Sequence, residues 1–271
     1  MLKKYITVFF FLLGLIFSAQ NLTVNYELIY RPSTSDKDSS RANLFYLDIL
    51  EGKSVFRDQM RRTSDSLIAF GNGYGLGFSN NINDQLYITK DLQSKTIFKY
   101  MVIPLSRDVF SVKITDPIIW KLSKETKEIG AIKCQKAETE YGGRMWIAWF
   151  NKEIQVSEGP HVFHGLPGLI LEIYDDKKDF QFKMVSIKKF EKKELFSMKK
   201  GKEVSWEGLN KVQKDYYNDP FSFPKTQNIK VMTDDGSGGF KKMDLRAGTI
   251  SIQNNLKQYN NIIELDKKIS W

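Results

Sequence analysis

The sequence predicts a mainly β protein of the α+β kind: a single curled antiparallel β-meander, bowl-like or half-barrel-like, with one or two helices. Three observations carry that expectation. Apolar and polar residues alternate with period two in several separate segments. Turn chemistry separates those segments at short intervals. Aromatic residues make up 13% of the chain, with 19 Phe and 12 Tyr, a composition suited to pleated, half-buried surfaces.

Taken in order, the chain opens with Lys3 and Lys4, an apolar run over residues 5–17, and then Ser18-Ala19-Gln20. A positive start, an apolar stretch too short to span a bilayer well and a small-residue exit are the parts of a cleavable signal peptide. Residues 1–19 are read as that peptide, with cleavage after Ala19, and residues 20–271 as a single β-rich domain. No Cys follows the apolar stretch, so lipid attachment there is not expected. No later segment of the mature chain is read as crossing a membrane.

Leu22, Val24, Tyr26, Leu28 and Tyr30 alternate with polar residues and predict a half-buried strand. The segment 33–40 is polar and reads as a loop. Phe98, Tyr100 and Val102 repeat the strand pattern, as do Phe180, Phe182 and Met184. Residues 145–150 are apolar on both faces and predict a central strand. Leu169, Leu171 and Ile173 share one face, with Glu172 on the other. Gly71-Asn72-Gly73, Asp116-Pro117, Gly142-Gly143, Gly159-Pro160 and Asp175-Asp176 supply the breaks. Trp206, Leu209, Val212 and Tyr216 recur at helical spacing between Ser205, an N-cap, and the stop Asp219-Pro220. Residues 240–261 fit either a helix or two short strands.

Charge and composition narrow the chemistry. The chain carries 41 Lys+Arg against 32 Asp+Glu, with one Cys and two His. Those counts exclude an internal disulfide, a multi-cysteine metal site and a three-histidine centre. Lysines 188, 189, 192, 193, 199, 200 and 202 form a basic run, read as a solvated strand edge in preference to a patch for anionic lipid or polysaccharide. Nucleic acid is not an expected partner, because aromatics are not arranged there as a stacking platform.

Residues 165–170 read Gly165-Leu166-Pro167-Gly168-Leu169-Ile170. With Ile129–Ala137, Gly143-Arg144, Ala148-Trp149-Phe150, Glu153-Ile154 and Gly159-Pro160 around it, this stretch resembles the GLPGLI family of exported Bacteroidota proteins. The resemblance is dense over residues 120–175. It implies an exported protein of that phylum and transfers no catalytic residue. A weaker resemblance, to the bowl-shaped domain that precedes some bacterial peptide N-glycosidases, suits a curled antiparallel sheet. The six residues themselves read as backbone chemistry: a type II turn over Leu166–Leu169, with Pro167 setting φ and Gly168 supplying φ > 0, followed by a strand. A ligand-binding loop is the second reading.

Five further candidates stand beside ordinary structural roles. His161 and His164 could form a two-histidine metal site, with Glu158 or Glu172 adding oxygen, but the spacing is weak and no cofactor or metal is expected. Cys134, on a strand over Ile129–Ala137 and sharing a face with Ile132, reads as a buried inert thiol and not a nucleophile. Gly71–Gly77 lacks the Lys-Ser/Thr ending of a phosphate loop, and Asp234–Gly239 lacks calcium-loop spacing. Asp65-Ser66-Leu67 matches a short acceptor pattern for O-glycosylation at Ser66. The functional expectation is an exported, non-catalytic module, periplasmic in preference to extracellular, that carries an apolar or peptide-like ligand on a curved sheet. The alternatives are an accessory factor for outer-membrane machinery, contacting an envelope protein or anionic envelope surface, and, third, a hydrolase. An open apolar inner face would favour the carrier, and an exposed apolar patch rimmed by Lys would favour the accessory factor.

Overall fold

The computed structural model describes residues 21–36, 38–71, 79, 81–198 and 201–271. The predicted signal peptide and most of the Gly71–Gly77 loop lie outside the described residues. The strands are β1 (Leu22–Tyr30), β2 (Arg41–Leu50), β3 (Lys53–Asp58), β4 (Tyr87–Asp91), β5 (Thr96–Val102), β6 (Val109–Lys113), β7 (Lys121–Ile129), β8 (Ile132–Tyr141), β9 (Arg144–Asn151), β10 (Leu169–Asp175), β11 (Phe180–Lys189) and β12 (Lys202–Glu203). Together they form one twelve-stranded sheet, ordered β12-β6-β5-β4-β3-β2-β1-β11-β10-β9-β8-β7 and not closed into a barrel. The two-residue β12 runs parallel to β6; the other pairings are antiparallel.

The sheet is therefore two meanders, β1–β6 and β7–β11, joined where β1 pairs with β11 from Leu22 opposite Lys189 to Tyr30 opposite Phe180. A single meander would leave β1 at an edge. The long-range pairing satisfies its backbone on both sides and places it mid-sheet. The outer strand β7 is mostly exposed, carries Lys121, Lys124 and Lys127, and has a register shift between Leu122 and Thr126. Those are devices that discourage edge-to-edge association.

One apolar cluster takes Val24, Tyr26 and Leu28 from β1, Phe56 from β3, Ile88 from β4, Ile97 from β5, Cys134 and Ala137 from β8, and Trp146, Ala148 and Phe150 from β9. Strands near opposite ends of the order share this core, so the sheet bends around it. The same inner face continues at β5 and β6, where Met101 and Val112 meet Leu209 and Tyr216 of α2 (Trp206–Asn218) and Leu256 of α4 (Leu245–Gln258). On the outer face Val55, Tyr87 and Tyr100 pack beneath Leu195 and Met198.

Among the described residues there are four α-helices, not one or two. The predicted α2 is present, with Ser205 Oγ accepting from the Gly208 amide at 3.2 Å. The ambiguous stretch resolves as β14 (Phe240–Lys242), paired with β13 (Met232–Asp234), followed by α4. Two helices were not expected: α1 (Gln59–Ala69) and the short α3 (Ser222–Thr226). In α1 the buried residues are Arg61, Ser64 and Asp65, so the face turned to the protein carries no apolar period. The Cys134 strand also differs. Gly130, at φ 59°, turns the chain between β7 and β8, so Ile129 and Cys134 lie on different strands.

The Lys-rich run divides: Lys202 lies on the exposed edge strand β12, as expected, Lys199 and Lys200 lie outside the described residues, and the earlier lysines are placed differently. Lys188 and Lys189 end β11, paired with Thr23 and Leu22 of β1 beyond the stretch where β10 pairs, and residues 190–198 then cross the outer face as an irregular strap. Arg57 explains the path. Its guanidinium is buried, donating to the Leu195 and Phe196 carbonyls at 2.8 Å each and to Asp65 and Asp48 at 2.6 and 3.1 Å. A five-donor planar cation can hold two carboxylates and two carbonyls at once, which a lysine cannot.

Candidate functional site

Between β9 and β10 the chain leaves the sheet for residues 152–168 and folds back over its inner face. Val162, Phe163 and Leu166 are buried in the main cluster, where Phe163 lies 4.7 Å from Trp146 between ring centroids. The Ser157 hydroxyl donates to the Leu166 carbonyl at 2.8 Å, and the Trp120 indole donates to the His164 carbonyl at 2.7 Å. Glu158 and His164 form an isolated antiparallel bridge. The inner face is thus filled by this segment.

Gly165–Ile170 closes the segment. Gly168 has φ 146°, so the expected positive φ is present, but the turn differs from type II. The Gly168 amide donates to Leu166 O at 2.8 Å, a three-residue turn around Pro167, while the Leu169 amide reaches across to Ile154 O at 3.2 Å. A Cβ on Gly168 would stand 2.0 Å from the Asn151 carbonyl oxygen. Leu169, Ile170 and Leu171 are all buried, because a register shift against β9 between Ile170 and Glu172 breaks the alternation. The Ile170 carbonyl accepts from the buried Tyr26 hydroxyl at 2.6 Å.

The two histidines part company. His161 is fully buried with φ 53°, second residue of the turn in which the Phe163 amide donates to Pro160 O. Neither ring nitrogen has a hydrogen-bond partner; Nε2 is 3.6 Å from Glu264 Oε1. Burial drives its pKa down to about 3, aided by Lys99 and Lys90, so the ring is neutral. His164 keeps Nδ1 on the Val162 carbonyl at 2.9 Å. The carboxylates considered as co-ligands are taken up by lysines: Glu158 lies 2.5 Å from Lys90 and accepts from Ser54 at 2.7 Å, and Glu172 pairs with Lys127. Among the described residues no group of three His, Cys, Asp or Glu side chains is placed to hold a metal.

Around His161 runs a buried polar chain that sequence reading did not find. Lys90 joins Glu158 to the Gly159 carbonyl at 2.8 Å. Lys99 lies 2.5 Å from Glu264, whose other oxygen accepts from Tyr141 at 3.2 Å. Burial raises the Glu264 pKa, but the Lys99 ammonium, its hydrogen bond and the other neighbours together hold the carboxyl below its usual range. Nothing in the local pattern marks Lys90, Lys99, Tyr141 or Glu264, since each is one polar member of an alternating strand or of the tail; Glu158 reads from the sequence only as a possible metal ligand. Cys134 is buried, its thiol pushed up to about 11 by burial, with Lys127 and Glu172 as electrostatic neighbours and no histidine.

The outer face carries the other candidate surface. Met60, Thr63, Leu67 and Phe70 lie at three- and four-residue spacing along α1 and its C-cap, and Met60, Leu67 and Phe70 are 66%, 45% and 62% exposed. Phe70 meets Phe196 of the strap at 5.2 Å, and the Lys192 ammonium lies over the Phe196 ring at 4.9 Å. Ser66 is half-buried on this helix and accepts from Lys192 at 3.4 Å, while the Asp65 before it is buried against Arg57 and Arg61. The Asp234–Gly239 segment is the β13–β14 turn, with Asp235 accepting from Ser237 and Gly239.

Residues 138–172 match the family described as a protein of unknown function (Porph_ging), a stretch from β8 to β10 that includes Arg144, Glu158, His161 and Gly165–Ile170. No curated protein matches the chain. Two solved structures of PNGF-II, in space groups C2 and P21, are similar over 73% of this chain at 15% identity, with TM-scores of 0.49 and 0.48. The chain spans about a third of their length, 32% and 33% respectively.

Proposed function

We propose that this is an exported envelope protein of the GLPGLI type that works by contacting another envelope protein. The observation that carries the reading is the exposed apolar stripe on α1, with Phe196 beside it and Lys192 of the strap at its border. A strip of large apolar side chains left in water costs solubility, and a partner that covers it recovers that cost. The carrier alternative needs an open inner face, and residues 152–168 occupy that face. Export is supported by Lys3-Lys4 and the apolar run after them; intact mass of protein recovered from the native envelope should place the N-terminus within a residue or two of Gln20.

The contact reading is tested by a photo-crosslinking amino acid at Leu67, with one at exposed Lys214 on α2 as the comparison, in the native host. A discrete adduct at Leu67 and none at Lys214 is expected. Identical patterns at both positions, or no adduct at Leu67, would remove the support.

A further inference from the structure

We propose that the pocket between α1 and the strap receives an Asp or Glu side chain of the partner segment that lies on the α1 stripe. The proposal rests on the reading of that stripe as a protein-contact surface and adds what the surface selects. The pocket has a volume of about 200 Å³, and its walls include Arg62, Thr63, Ser66, Leu67, Lys192 and Phe196. That volume is below the range typical of drug-sized ligands, and it suits a single short side chain.

Its walls carry three cations, Arg57, Arg62 and Lys192, against one carboxylate, Asp48, which Arg57 and Arg62 already hold. Behind the wall, Asp65 takes the other side of the Arg57 guanidinium and pairs with Arg61, so it does not face the pocket. Among the described residues Lys192 has no carboxylate partner; its ammonium meets the Ser66 hydroxyl and the Phe196 ring. Arg62 is held in place before any ligand arrives, donating to both oxygens of Asp48 at 2.8 and 3.0 Å and stacking on Tyr46 at 4.7 Å. A fixed guanidinium, an ammonium with no carboxylate among the described residues and the Ser66 hydroxyl make a carboxylate site whose ordering cost is largely met. Leu67 is at once a wall of the pocket and a member of the stripe. A single segment with an acidic residue beside Leu, Ile or Phe would therefore fill both. An anionic lipid surface fits less well, because the cations are gathered around a recess and are not spread over a flat face.

The test is selection of a random-peptide library displayed on phage against the mature chain. Enriched peptides are expected to set Asp or Glu close to Leu, Ile, Phe or Met. Synthetic copies with Asn or Gln in place of the acid should bind about tenfold more weakly. Lys192→Glu should weaken the acidic peptide by about tenfold or more, and Lys192→Gln by less, while Lys214→Glu leaves it within about twofold. Near-ultraviolet circular dichroism checks that each variant is folded. Equal binding of acid and amide forms, or no effect of Lys192→Glu, would overturn the pocket assignment; loss of binding in Leu67→Asp would then still uphold the contact surface. No enrichment, or peptides indifferent to Leu67→Asp, would overturn both. Retention on phosphatidylglycerol vesicles with the same dependence on Lys192 would assign the site to lipid instead.

Discussion

At Gly168 two demands coincide: a φ of 146° and a backbone pressed against Asn151. Tolerance of the left-handed region, which makes Asn a mild replacement for Gly at many turns, does not help where the Cβ itself has no room. Gly168→Ala and Gly168→Asn should therefore lose similar stability, roughly 3 kcal/mol or more, by thermal melting. Gly236, at φ 86° with nothing near its Cβ position, is the contrast; Gly236→Asn should cost about 1 kcal/mol or less. His161 poses a different problem, since it is buried without a hydrogen bond. Its pKa is lowered from the ordinary 6.5 to about 3. Between those values the unfolded chain binds a proton that the folded chain refuses. This contribution is therefore complete above pH 6.5 and is lost as pH falls towards 3. His161→Phe keeps a ring and removes the proton site. It should flatten the fall in melting temperature between pH 7 and pH 4, by an amount corresponding to roughly 3 kcal/mol at most. An unchanged acid limb would refute the assignment.

At the scale of elements, the strap and α1 are held by one side chain. Arg57→Met would keep much of the volume, but it would free the Leu195 and Phe196 carbonyls and leave Asp48 and Asp65 short of a cation. Breaking one member of a buried ionic cluster costs about 3–5 kcal/mol. The strap should also open, so limited trypsin digestion should cut after Lys192 or Lys193 well before it cuts the sheet. Cleavage as slow as in the parent protein would count against Arg57 as the anchor. The predicted α2 shows the opposite case, since its cap, its apolar spacing and its stop are all local. In α1 the apolar residues face water and the polar ones face the protein, so periodicity read as burial pointed nowhere.

At the scale of the molecule, the tail ties the two meanders together. Glu264 meets Lys99 on β5 and Tyr141 on β8, and Arg144 on β9 donates to the Asn261 side chain and to the Ile262 and Ile263 carbonyls. Without residues 260–271 Lys99 would be left unpaired in the interior and Arg144 would lose three acceptors. The truncated chain is expected to lose cooperative thermal unfolding, and Glu264→Gln to cost about 3 kcal/mol. A truncated chain that melts like the parent would show the tail to be dispensable.

The sequence alone determined β1 to its end residues, β5, β9, β11 and α2, together with the turns at Gly142-Gly143 and Asp175-Asp176 and the need for a positive φ at Gly168. Each rests on interactions within a few residues: alternation against a flat face, a cap, or a backbone conformation that only certain residues adopt. The tertiary structure decided the β1–β11 junction, the filling of the inner face by residues 152–168, the strap over Arg57, and the separation of His161 from His164. It also decided the partners of Glu158, Glu172 and Glu264. Those outcomes depend on which distant strand closes the sheet and on where the excluded charges find counter-charges. Pairings across 100 residues or more, such as Arg57 with Phe196 and Lys99 with Glu264, leave no periodic trace in the chain.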